Sequence, residues 1–307
     1  MAAVISNPAK IFLRTPWSAK LGFIIIGINL FACAFAPQLA PFKETEIIGK
    51  IWEPGFWATD CSEEAVRLKG PCWSEFNDTR ADGAAWLGTD QLGRDLYSRL
   101  LYGARNTISI ALITVALSFF IGMTFGYMAA AMRGWVDQIA SRTVDIMMAF
   151  PTLIFALIVL SVAGSSTPVL IIVIALLDST RVFRLSRALA MDIAVTEYVE
   201  AARLRGEGVL WVMRREILPN TLPPLVAEFG LRFCFVFLFI SALSFLGLGL
   251  QPPIADWGNM VKENSSAISF GVYNGLIPAF AIALLTVGVN MVVDWFLRRT
   301  ASLRDEY

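Results

Sequence analysis

The chain has 307 residues, 56 % of them hydrophobic and 16 % charged, with a mean hydropathy of +0.63. Soluble domains carry about a quarter charged residues, so this composition excludes an ordinary soluble globular protein and implies a polytopic membrane protein. The 25 basic and 25 acidic residues cancel, which removes a bulk electrostatic case for nucleic-acid binding, and the absence of histidine removes the commonest general base and transition-metal ligand.

Residues 1–20 form a polar lead-in with Lys10, Arg14 and Lys20, followed by a first apolar run, Leu21–Ala36. Basic residues, an apolar core and Ala34-Phe35-Ala36 also fit a cleaved secretory signal, but Pro37 directly after the cut makes a poor peptidase substrate. An uncleaved first transmembrane helix is the favoured expectation.

Residues 37–106 form a long loop. It holds Cys61 and Cys72, either disulfide-bonded in an oxidising compartment or two free thiols. Cys33 and Cys234 fall in apolar runs, where a thiol behaves as a small hydrophobe. The loop ends in Leu87-Gly88-Thr89-Asp90-Gln91-Leu92-Gly93-Arg94-Asp95-Leu96-Tyr97-Ser98-Arg99-Leu100-Leu101-Tyr102-Gly103-Ala104-Arg105. Thr89 or Asp90 suits a helix cap, and Gly103 a stop or bend. Leu92, Leu96, Leu100 and Leu101 recur at helical spacing opposite Arg94, Asp95 and Arg99, which predicts an amphipathic helix on the membrane surface. It serves either as a lead-in to the next span or as a platform that positions a soluble partner or gates a pore.

A core of five further helices is expected over 107–297. The apolar runs are Thr107–Ala131, Val144–Gly164, Pro168–Leu177 continuing helically towards Ala190, Ala227–Leu250 and Leu276–Phe296. Asp178 and Arg181 cut short the apolar part of the fourth span. The basic residues sort by side. Lys10, Arg14 and Lys20, Arg133 and Arg142, the arginines between spans four and five, and Arg298, Arg299 and Arg304 all share one face if the chain crosses six times. The positive-inside rule makes that face cytoplasmic, with both termini and the 298–307 tail on it.

Between spans four and five, residues 196–220 form a polar island. Ala201 and Ala202 allow close approach of another surface, Gly206 and Gly208 permit turns, and Pro219, Pro223 and Pro224 suit a helix restart. On these grounds the island is either a plain connector or a docking helix for a cytoplasmic partner.

Glu200-Ala201-Ala202, three residues, Gly206, nine residues and Glu216-Ile217-Leu218-Pro219 resemble the "EAA" loop of ABC importer permeases. Leu87–Asp95, Asp145-Ile146-Met147-Met148-Ala149-Phe150-Pro151, Ser244–Pro253 with Asp256-Trp257-Gly258, and Leu276-Ile277-Pro278 narrow the resemblance to the second, C-type subunit of the dipeptide, oligopeptide and nickel permease family. The resemblance spans about Leu87 to Asp294. It implies an all-α type I importer permease in a bacterial inner membrane, non-catalytic, importing di- or oligopeptides or a related small solute. It also implies a homologous second permease, two ATPase subunits that use ATP and Mg²⁺, and a periplasmic substrate-binding protein. Glu200, Ala201, Ala202, Arg203, Gly206, Leu218 and Pro219 become the coupling residues. Relatives usually carry histidine where Glu216 stands, and most have a shorter first outer loop, so Lys43–Ala85 looks like an insertion.

The chain lacks a phosphate-binding loop of its own. Gly49-Lys50 has no glycine five residues before Gly49, and Ile51 stands where Ser or Thr is required. No Gly-x-Ser-x-Gly and no metal-spaced cluster is present, so no cofactor or metal is expected on this chain. Asp145, Asp178, Glu228, Arg232 and Asp294 lie in or near spans, where pairing or snorkelling accounts for them as well as function does. Ser241, Ser244 and Asn290 are the polar span residues that either line a path or serve packing. Two rival classes stay open: a transporter or channel that works without ATPases, and a membrane enzyme using Asp178 or Glu228.

Overall fold

The computed structural model describes residues 16–49, 51–52 and 85–305. Cys61 and Cys72, and with them the choice between a disulfide and two free thiols, lie outside the described residues, as does most of the outer-loop insertion. The described chain is all-helical: α1 (Trp17–Leu39), α2 (Leu96–Met132), α3 (Gly134–Ala149), α4 (Thr152–Ala163), α5 (Thr167–Ala194), α6 (Glu197–Leu204), α7 (Val209–Phe245), α8 (Trp257–Asn264) and α9 (Leu276–Asp305). Extended structure among these residues is confined to two isolated bridges, Ile47 with Arg94 and Thr89 with Asp95.

Four helices are long and apolar enough to cross a membrane alone: α1, α2, α7 and the Leu276–Arg299 part of α9. The expected third span is not one straight helix. Pro151 has no amide hydrogen, and Phe150 before it is forced to extended angles (φ −89°, ψ 139°), so α3 and α4 meet at a bend of 88° and count as a fifth span only together. The expected fourth span is a continuous helix, α5, but Asp178, Arg181, Arg184 and Arg187 follow one another from its middle onward, so composition alone does not qualify it. Length and composition therefore support four or five crossings, against the six expected.

The surface helix expected over 89–103 is absent as a separate element. Residues 85–95 fold into turns, and α2 starts at Leu96 with Asp95 as its cap, accepting from the Ser98 amide at 2.8 Å and the Ser98 hydroxyl at 2.6 Å. Gly103 neither stops nor bends it: the missing side chain admits the Trp257 ring, which stands 2.7 Å from where a Cβ would be. Arg94, Asp95 and Arg99 are buried because the charges find partners inside the fold.

Two compact units emerge. The first takes in Ile110–Val236 with pieces from the two ends of the chain. There Gly122 and Gly126 place the backbone of α2 directly on α5. A Cβ on Gly122 would lie 2.7 Å from the Ser179 carbonyl, and one on Gly126 3.0 Å from that of Phe183. The Ser186 hydroxyl donates to the Gly122 carbonyl at 3.1 Å. This is the small-residue spacing by which membrane helices approach closely. Gly22 of α1 meets Gly288 of α9 in the same manner, beside Phe23 edge-on to Trp295 at 5.7 Å.

The second unit takes in Phe237–Thr286 and the described residues of Ile25–Ser109. Trp257 is its centre, 2 % exposed, donating from Nε1 to the Leu100 carbonyl at 2.9 Å and lying edge-on to Phe237. Asp256 caps α8 by accepting from the Asn259 amide at 3.0 Å and the Thr107 hydroxyl at 2.8 Å. Burial pushes its pKa above the ordinary carboxylate value, and those hydrogen bonds pull the other way. Nearby, Asp90 is held by Arg94 at 2.7 Å and by Arg99, and both arginines also reach Glu263, at 3.1 and 2.6 Å.

Candidate coupling surface and span charges

α6 is eight residues long, with Glu197 and Glu200 in its first turn, where carboxylates complement the positive end of the helix dipole. Its other end closes on glycine. Gly206 sits at φ +83°, its amide donates to the Arg203 carbonyl at 2.9 Å, and the Glu207 amide donates to the Ala202 carbonyl at 3.2 Å. Those two bonds and the left-handed residue make a Schellman turn, which ordinary side chains resist.

The two alanines of the island separate by face. Ala202 is fully buried with Val199, whereas Ala201 is exposed. Around Ala201 the surface carries Glu200, Arg203 and Arg205, together with Leu204 at 83 % exposure and Leu210 at 64 %.

Arg203 turns back to its own chain. Its Nη2 donates to the carbonyl of Ala131 at 3.3 Å, next to the last residue of α2, where helix carbonyls lack intrahelical partners. Ala131, Met132, Arg203, Glu207, Val209 and Val212 line a cleft of about 360 Å³ there.

The restart of α7 contains a π-helical turn, Met213–Ile217. Glu216 lies in it half-buried. Asn220 Nδ2 donates to the Glu216 carbonyl at 2.6 Å, and the Thr221 hydroxyl contacts the Ile217 and Leu218 carbonyls at 3.1 Å each. These side chains add hydrogen bonds to the carbonyls of the turn that leads into Pro219, Pro223 and Pro224. Leu218 is half-buried and Pro219 is exposed.

Ser241 and Ser244 are 6 % and 1 % exposed in this conformation. The Ser241 hydroxyl bonds the Phe237 carbonyl at 2.9 Å, and the serine backbones pack against Gly258 and Gly249. Asn290 is half-exposed. Several span charges are paired: Arg232 binds Glu228 at 2.5 Å and stands 3.7 Å from Asp178, whose other oxygen accepts from the Ser118 hydroxyl at 2.8 Å. Arg184 pairs with Asp145 at 2.7 Å and Arg187 with Asp137.

Several of these contacts escaped the sequence reading. The Gly122-x-x-x-Gly126 spacing inside an apolar run was visible and points to close helix packing. The Asp90, Arg94, Arg99 and Glu263 cluster had no sequence signal, because Glu263 lies 164 positions from Arg99.

Long apolar helices, glycine-mediated helix packing and a short projecting helix define a multi-pass membrane protein. Its relatives say of which kind. The sequence model of the family described as "binding-protein-dependent transport system inner membrane component" matches residues 122–302. The dipeptide transport system permease protein DppC of Alkalihalophilus pseudofirmus is 31 % identical over 276 residues, covering 90 % of this chain and 83 % of that protein. The di/tripeptide transport system permease protein DppC of Pseudomonas aeruginosa is 32 % identical over 273 residues, 89 % and 84 % of the two chains. The glutathione transport system permease protein GsiD of Pectobacterium atrosepticum is 33 % identical over 211 residues, 69 % and 70 %. Among solved structures, an amino acid ABC transporter with histidines aligns at TM-score 0.50 and 18 % identity, over 66 % of this chain and 94 % of that one, a likeness of fold. The chain belongs to the family of binding-protein-dependent transport system inner membrane components and is a transport permease component.

Proposed function

We propose that the chain is one of two permease subunits in an ATP-driven importer of short peptides, in a bacterial inner membrane. The relatives named for dipeptides, di- and tripeptides and glutathione support peptide cargo. The observation that carries the reading is the solvent-turned face of α6, with Leu204 bare beside Ala201 and a left-handed turn at Gly206 fixing its far end.

In this reading α6 is the coupling helix and faces the cytoplasm. Glu200, Ala201 and Leu204 seat in a cleft of an ATPase subunit, with Leu218 and Pro219 holding the restart of α7 behind it. Arg203 links α6 to the end of α2, and Ala202 roots the helix in the permease. The partner ATPases bind ATP and Mg²⁺ and do the hydrolysis, while a periplasmic binding protein delivers the peptide. Closure of the ATPases moves α6, and the helices fixed to it switch access from outside to inside.

The test is uptake of labelled trialanine into proteoliposomes that hold the full transporter, with the binding protein outside and ATP inside. Uptake that requires both internal ATP and the ATPase subunits supports the reading. Uptake by the permeases without ATPase subunits contradicts it and favours a secondary transporter or channel.

A further inference from the structure

We propose that Arg181, stacked on Phe235, is a cargo contact that receives the C-terminal carboxylate of the peptide as it passes; this rests on the peptide-import reading above. Of the arginines at 181, 184, 187 and 232 on α5 and α7, three have a carboxylate within ion-pair distance: Arg184 has Asp145, Arg187 has Asp137, and Arg232 has Glu228 and Asp178. Arg181 has none among the described residues. Asp178, one turn back on the same helix, is committed to Ser118 and Arg232.

What Arg181 has instead is an aromatic face. Its guanidinium carbon lies 4.8 Å from the centre of the Phe235 ring, and that of Arg232 lies 5.8 Å from the same ring. Phe235 is 52 % exposed, so its ring forms part of an open surface flanked by two guanidinium groups. A ring face holds a guanidinium in place without neutralising it or using its N–H donors.

Depth makes this informative. At 1.5 Å per residue, Arg181 stands about 21 Å from the Thr167 end of α5, and Arg232 about 20 Å from the Phe245 end of α7. Measured along their helices, both distances are shorter than the ~30 Å thickness of a hydrocarbon core. A cation at that depth, whose nearest carboxylate, Asp178, acts on it only beyond ion-pair distance and is shared with Arg232 and Ser118, retains N–H donors for water or a passing anion. The five donors of a guanidinium match a carboxylate in two parallel hydrogen bonds, and every unmodified peptide carries one such carboxylate at its end. The neighbouring Arg232 is already neutralised, so cargo is drawn to Arg181 without two bare cations trapping it.

The experiment uses the full transporter in proteoliposomes and compares uptake of trialanine with that of trialanine amide, for wild type, Arg181→Gln and Arg181→Lys. Loss of one charge-assisted contact is expected to lower trialanine uptake about tenfold in R181Q, with amide uptake changed less than about twofold. R181K, which keeps the charge, is expected to retain most trialanine uptake. Dividing each variant by wild type for the same peptide removes any preference of the binding protein. Equal losses for acid and amide, or no loss for either, overturn the proposal and leave the import reading standing. Loss of the second permease from R181Q and R181K alike overturns it in favour of a subunit contact. Failure of wild type to take up either peptide overturns the import reading and the proposal together.

Discussion

Arg203 on α6 donates to the carbonyl of Ala131, one residue from the end of α2, at 3.3 Å. The helix whose outer face is bare is thereby tied to the end of a 37-residue helix. In the proposed importer, a push on α6 would reach α2 through this hydrogen bond between a cation and a carbonyl that no intrahelical amide satisfies.

Arg203→Ala removes that link without touching the exposed apolar tip. A hydrogen bond from a charged donor contributes roughly 1.5–3 kcal/mol, less here because Arg203 is exposed. Peptide uptake is expected to fall several-fold while the ATPase subunits still co-purify. Arg203→Lys keeps a donor near the helix end and is expected to retain more uptake. Loss of ATPase binding in R203A would show that Arg203 docks rather than transmits.

Gly206 is the second lever. A residue with a Cβ in the left-handed region costs about 1–2 kcal/mol, and a β-branched one more. No atom lies within 4 Å of where the Cβ would sit, so strain rather than collision sets the effect. Gly206→Ala is expected to reduce uptake moderately and Gly206→Val to abolish it, with both variants at normal levels in the membrane. Normal uptake by G206V, measured beside its membrane level, means the turn is not needed for coupling.

Gly126 tests the packing of the first unit. Its Cβ would lie 3.0 Å from the Arg187 amide nitrogen and from the Phe183 carbonyl, both backbone and unable to yield. Overpacking of this kind costs about 1–3 kcal/mol, and Gly126→Leu is expected to lower the unfolding temperature and the amount in the membrane. Gly134, with nothing within 4 Å but φ +60°, is a control for backbone strain alone.

Asp256 gives a pH signature. Its folded pKa is raised, so the stability it contributes is full below the unfolded value of about 4 and is lost as pH rises through the folded pKa. Thermal unfolding of the purified transporter from about pH 4 towards neutrality should show that decline in wild type and a smaller one in Asp256→Asn, which keeps an oxygen for the Asn259 amide. Identical pH profiles for the two proteins contradict a raised pKa.

Much of this architecture was legible because apolar run length, proline and glycine act locally. The helix end at Gly206 follows from a single residue, and the polar island follows from its polarity between two apolar runs, whereas the break at Phe150-Pro151 was hidden by an apolar run that continues through it. The 89–103 segment misled for a physical reason. Its leucines repeat at helical spacing, which reads as a helix with a wet face, but Arg94 and Arg99 are neutralised by Asp90 and by a glutamate 164 positions beyond Arg99. Helical periodicity reports which residues share a face and not whether that face is dry. Ser241 and Ser244 stood out as polar groups in a span, yet Gly258 of α8 and Gly249 from the turn that follows the helix pack against them. The arginines at 181 and 232 were visible as charges, while the difference between a paired and an unpaired one needed the fold.

The most direct measurement is photo-crosslinking from the coupling face in the assembled transporter. Leu204, 83 % exposed, is replaced by p-benzoylphenylalanine, with Leu238, 42 % exposed in the apolar stretch of α7, replaced likewise as a control. The account predicts an adduct of this chain with an ATPase subunit from position 204 and none from 238. No ATPase adduct from position 204, in a complex that still hydrolyses ATP and imports peptide, contradicts the assignment of α6 as the coupling helix.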